Sequence, residues 1–73
     1  MVEANPIIPG AWIKFEALRL AKIAVRADIR DQGLKLKDYA AKDITALAEQ
    51  RWQGFLDQAR INLAEWAESQ ARQ

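Results

Sequence analysis

A set of basic residues between positions 19 and 37 offers the clearest possibility of binding chemistry in this sequence. The first four are spaced by 3, 4 and 4 positions, which places them on one face of an α-helix, and two lysines follow. The six residues are Arg19, Lys22, Arg26, Arg30, Lys35 and Lys37. We call the first four the basic ridge. Such a ridge could bind the phosphates of a nucleic acid. The competing interpretation, which we prefer, is an ordinary solvated helix face.

Groups that could perform catalysis are nearly missing. The chain has no histidine and no cysteine, so it lacks imidazole bases, thiol nucleophiles, disulfides and the commonest zinc ligands. Carboxylate pairs occur at Asp28/Asp31 and Glu65/Glu68. An acid–base pair needs burial to separate its two pKa values, and both pairs are expected in solvent. We therefore expect no enzymatic activity, no bound metal and no cofactor.

An 11-residue repeat runs from Ala40 to Arg72. Its three units are AAKDITALAEQ, RWQGFLDQARI and NLAEWAESQAR. A period of 11 residues corresponds to about 3.67 residues per turn, which keeps an apolar stripe on one side of a straight α-helix. The repeat therefore predicts a long helix that packs against other helices, and the chain belongs to the all-α class.

The large apolar residues at helical spacing are candidates for the core or for an oligomer interface. They are Trp12, Phe15, Ile44, Trp52, Phe55, Leu63 and Trp66. A platform for stacking bases or a ligand is the alternative. Spacing that matches the helix period favours packing, and a closed hairpin would bring Trp12 near Trp52 and Phe55.

Helix-breaking residues divide the first part of the chain. Residues 1–10 contain both prolines and a glycine, which predicts an extended arm. Residues 11–31 contain neither and consist largely of good helix formers, so they predict the first helix. Gly33 stands where a left-handed residue commonly ends a helix.

The second helix is predicted over residues 38–70, with Asp38 as its N-cap. A start at Asp43 is the alternative, in which 38–42 form a separate short turn. Gly54 would lie inside this helix, where glycine costs roughly 1 kcal/mol.

The two helices differ in predicted length, about 32 Å against about 50 Å. In a hairpin the second would extend past the first from about residue 57, leaving Ala59, Leu63 and Trp66 without a partner. Either the N-terminal arm or another chain would cover them. A chain of 73 residues without disulfides often gains stability by association. We expect a homo-oligomer, preferably a dimer that forms a four-helix bundle from a single domain spanning 11–73.

Charge and hydropathy limit the remaining functions. The net charge is +1, although residues 1–42 alone carry a surplus of three positive charges. No apolar run approaches the ~20 residues of a membrane span, and the start of the chain does not resemble a signal peptide. We expect a cytoplasmic protein with no membrane partner. The predicted function is that of a small non-enzymatic interaction, adaptor or regulatory protein, which associates with itself and binds a protein partner. A nucleic-acid-binding regulator that uses the basic ridge is the alternative.

Overall fold

The computed structural model describes residues 9–72, which form three α-helices and two short 3-10 helices. Helix α1 spans Gly10–Asp31, α2 spans Ala41–Glu49 and α3 spans Leu56–Ala71. The 3-10 helices span Leu36–Asp38 and Trp52–Phe55. No strand occurs in residues 9–72, so the all-α prediction is confirmed.

Helix α1 has nearly the predicted bounds. It begins at Gly10, and Pro9 occupies the N-cap position; the rest of the predicted arm, residues 1–8, lies outside the described residues. At the other end Gly33 adopts a φ of 79°. Its N–H donates to the Arg30 carbonyl at 2.9 Å, and the Leu34 N–H donates to the Ile29 carbonyl at 3.1 Å. These two bonds form a Schellman motif, so the predicted glycine cap is confirmed.

The second half of the chain does not form the predicted continuous helix over 38–70. Helix α2 ends at Glu49, and the backbone leaves the α-helical path at Arg51 (φ −120°) and again at Phe55 (φ −106°). Between them the Gly54 N–H donates to the Arg51 carbonyl at 3.0 Å, a bond of 3-10 type. Because Trp52 and Phe55 are three positions apart, a 3-10 turn keeps both side chains on the same side.

The start of the second half also differs from the first prediction. Asp38 closes a 3-10 helix and does not cap α2, which begins at Ala41. The Asp43 carboxylate accepts a hydrogen bond from the Ala40 N–H at 3.3 Å, which binds a free amide at the helix start. The alternative of a separate turn before the helix is therefore nearer to the structure.

The core is small and rich in alanine. Helix α1 packs against both α2 and α3. Among residues 9–72, Val25 is the largest side chain that is fully buried. The buried residues are Ala17, Ala21, Val25, Ile29, Ile44, Ala48 and Ala59. Alanine at four of these positions lets the helices approach closely, but it contributes little apolar burial per residue.

Helix α3 lies beside the first half of α1, so the predicted overhang from residue 57 is wrong. The Asn62 side chain hydrogen-bonds Glu16, and the Trp66 ring contacts the Trp12 ring. Helix α2 begins at Ala41, three residues later than the predicted start at 38. Fewer residues therefore remain to extend past α1.

Within residues 9–72, none of the helices combines the length and the apolar character that crossing a bilayer requires.

Candidate interaction surface

Aromatic side chains gather where the start of α1 meets α3. The Trp12 and Trp66 rings pack edge to face, with centroids 6.0 Å apart and planes inclined by 71°. Half of each tryptophan remains exposed, and the neighbouring Phe15 is 75% exposed. We call Trp12, Phe15, Leu63 and Trp66 the aromatic surface. Single exposed apolar residues are common, but a contiguous group of this size is typical of an interaction site.

A groove of about 440 Å³ lies within the aromatic surface. Its lining residues come from both helices: Ala11, Trp12, Phe15, Glu16 and Leu63. All but one are apolar, so the groove suits an apolar side chain from another molecule better than a charged one.

Glu16 joins the two helices beneath this surface. Its carboxylate oxygens accept hydrogen bonds from Arg19 Nε at 2.8 Å and Arg19 Nη2 at 2.6 Å, and Asn62 Nδ2 of α3 donates to it at 3.0 Å. The Glu16 side chain is only 13% exposed. The hydrogen bonds from Arg19 hold the pKa of Glu16 below its usual range, against an opposing effect of burial. The carboxylate therefore stays ionised and fixes α1 to α3.

The composition and periodicity of the sequence did not predict this cluster. The i, i+3 spacing of Glu16 and Arg19 could have indicated their ion pair. Nothing in the local pattern indicates Asn62, which is 46 positions from its partner. A long-range ion pair between Asp28 and Arg51 was missed for the same reason.

The structure changes the interpretation of the basic ridge. Arg19 forms a bidentate pair with Glu16. Among residues 9–72, Lys22, Arg26 and Arg30 have no carboxylate within ion-pair distance. Lys35 and Lys37 are exposed in the connection after α1, one of them in the 3-10 helix. Three of the four ridge cations thus remain available.

A second groove, which we call the basic groove, runs along the outer side of α1. It has a volume of about 330 Å³ and shares Phe15 with the aromatic surface. It is lined by Phe15, Leu18, Arg19, Lys22 and Arg26. Three of the four ridge residues therefore border an apolar floor, which the spacing of the basic residues did not indicate.

The other candidate core residues lie in α2 and the second 3-10 helix, away from the Trp12–Trp66 contact. Ile44 is buried, and Trp52 and Phe55 are half-buried against the core cluster. The Lys14 ammonium group lies 5.0 Å from the centre of the Trp52 ring. Trp12, expected near Trp52 and Phe55, pairs with Trp66 on α3 instead.

Comparison with known proteins gives no further guidance, because no family model, curated protein or solved structure matches the chain.

Proposed function

We propose that this chain is a small non-enzymatic helical interaction protein that associates with itself and binds a protein partner through the aromatic surface. The observation that carries the proposal is the exposure of Phe15 beside an apolar groove and near two half-exposed tryptophans that contact each other. The proposed assembly is a dimer in which the aromatic surfaces of two hairpins face each other. Two such hairpins would form a four-helix bundle.

Burial of the apolar side chains that remain exposed would favour association. Full burial of a large apolar side chain contributes about 1.5–3 kcal/mol. Trp12, Phe15 and Trp66 are between half and three-quarters exposed. Covering them would contribute on the order of 3–5 kcal/mol, before the entropic cost of association is subtracted. The alanine-rich core gives the monomer little stability of its own, so this contribution matters.

Sedimentation velocity over a range of protein concentrations tests the proposal. We expect the parent chain to associate and the Phe15→Glu variant to remain a folded monomer, because a charge would then be desolvated at the interface. Ile23→Glu is the matched control, since Ile23 is also a large, exposed apolar residue of α1 but lines neither groove. A parent that stays monomeric, or equal effects of the two variants, would refute the proposed interface.

A nucleic-acid-binding regulator is the second candidate, supported by the absence of ion pairs at Lys22, Arg26 and Arg30 within residues 9–72. If three cations contact phosphates, the logarithm of the binding constant for duplex DNA should fall with the logarithm of salt concentration with a slope of about −2.7. Replacing Arg26 and Arg30 by alanine should reduce that slope to about −0.9. An unchanged slope would exclude the ridge as the contact.

A further inference from the structure

We infer that the basic groove binds an apolar, carboxylate-bearing segment of a partner protein, namely one face of an acidic amphipathic helix. This inference rests on the proposed function and specifies the chemistry of the partner. The basic groove has the length of a short helix. Phe15, Leu18, Lys22 and Arg26 follow one another at spacings of 3, 4 and 4 on α1. They extend over about 16 Å, which is the length of roughly three turns of a bound helix.

The basic groove combines an apolar floor with positive charges beside it. Phe15 and Leu18 form one end of the groove, whereas Lys22 and Arg26 form the other. Neither cation has an ion pair in the described part of the chain. A partner helix that places apolar side chains on this floor would bring its flanking carboxylates to both cations. Helix-in-groove recognition combines anchors and charges in this way.

Arg19 adds a preorganised element to the same groove. Glu16 binds its Nε and one terminal nitrogen, so the orientation of the guanidinium is set before any partner arrives. The second terminal nitrogen takes no part in these bonds. A donor that is already held in place loses less conformational entropy when it binds a carboxylate.

The apolar floor also favours a protein segment over a nucleic acid. Binding of nucleic-acid phosphates needs cations placed along the sugar-phosphate backbone and does not require apolar residues such as Phe15 or Leu18 beside them. Because Glu16 offsets the charge of Arg19, the groove holds only two unpaired cations. A nucleic acid or an anionic membrane would gain little at so short a site, whereas a short amphipathic helix would use both its apolar and its basic parts.

Fluorescence anisotropy with two synthetic helical peptides tests the inference on the full chain. Both peptides carry the same leucine face, and they differ only in whether glutamate or lysine flanks it. At physiological salt we expect the glutamate peptide to bind at least about tenfold more tightly. The Lys22→Glu/Arg26→Glu variant should reverse this preference. The control variant Lys42→Glu/Arg72→Glu removes the same charge at exposed positions outside both grooves and should bind as the parent does.

The outcomes separate this inference from the proposed self-association. Equal binding of both peptides to the parent, or an unchanged preference in the Lys22→Glu/Arg26→Glu variant, would overturn the inference even if the chain dimerises. A monomeric parent that still binds the glutamate peptide would support the inference while self-association fails. Duplex RNA and phosphatidylserine vesicles serve as competitors. If either is bound more tightly than the glutamate peptide and Phe15→Ala does not weaken that binding, the groove is a phosphate site instead.

Discussion

Replacing Phe15 by alanine should leave the isolated chain almost as stable as before. Phe15 is 75% exposed, so about a quarter of its side chain is covered. With 1.5–3 kcal/mol for complete burial, the covered part contributes about 0.4–0.8 kcal/mol. Alanine has the higher helix propensity and recovers about 0.5 kcal/mol of this. The expected change in the free energy of unfolding of the monomer is therefore close to zero.

Val25→Ala provides the contrasting measurement, because Val25 is 1% exposed at the centre of the core. The change removes two buried carbon atoms at about 0.8 kcal/mol each and leaves a small cavity. The expected loss is roughly 2–3 kcal/mol, a large share of the stability of so small a domain.

Urea unfolding followed by circular dichroism measures both variants, at a dilute protein concentration and at one roughly a hundredfold higher. In the dilute samples Val25→Ala should be much less stable than the parent, and Phe15→Ala should match it. At the higher concentration the parent should gain stability by association, whereas Phe15→Ala should not. If Phe15→Ala destabilises the dilute chain as much as Val25→Ala does, Phe15 belongs to the monomer core and the aromatic surface is wrongly assigned.

Four further changes test the fold. The Arg19 guanidinium lowers the pKa of Glu16 in the folded state. The contribution of Glu16 to stability is therefore present at neutral pH and is lost as the pH falls through the folded-state pKa. The unfolding free energies of the parent and Glu16→Gln should therefore converge as the pH falls below the ordinary carboxyl range, and a constant difference in urea titrations would contradict this. Gly33→Ala should cost about 1 kcal/mol or more, because its φ is positive. Gly54→Ala should be neutral or stabilising by up to about 1 kcal/mol, since no atom lies within 4 Å of the added Cβ. In thermal melts Gly33→Ala should therefore be less stable than Gly54→Ala, and the opposite order would contradict the positive φ of Gly33. Asp28→Asn should change stability by less than about 1 kcal/mol in the same melts, because this carboxylate and Arg51 are both about half exposed, and a larger loss would mean that the pair is more deeply buried.

Local signals predicted the first half of the fold well. The bounds of α1 follow from the absence of helix breakers after Gly10, and its end follows from Gly33. The second half was harder, because residues spaced by three and four satisfy both α and 3-10 geometry. Trp52 and Phe55 fit the 11-residue repeat and also fit the 3-10 turn that interrupts it. Periodicity therefore located the apolar stripe but not the break in the helix.

The candidate surface was predictable in its residues but not in its contacts. The sequence placed Trp12 and Trp66 among the packing residues, yet their mutual contact depends on the register of α3 along α1. That register follows from where α2 begins and where the helical path is interrupted. The role of Glu16 likewise depends on a hydrogen bond from Asn62, far along the chain. Contacts of this kind are set by tertiary packing, which no local pattern records.

The alanine-rich core has a consequence for how this protein would persist in a cell. Four of the seven buried residues in the described part of the chain are alanines, which add little apolar burial, so we expect the isolated chain to have low stability and to open often. Proteases cleave opened chains, and any bound molecule that recognises the folded form reduces the opened fraction by mass action. The steady-state amount of the chain would then follow the supply of whatever covers the aromatic surface. Unassembled copies would be removed by turnover, without a dedicated signal for their destruction.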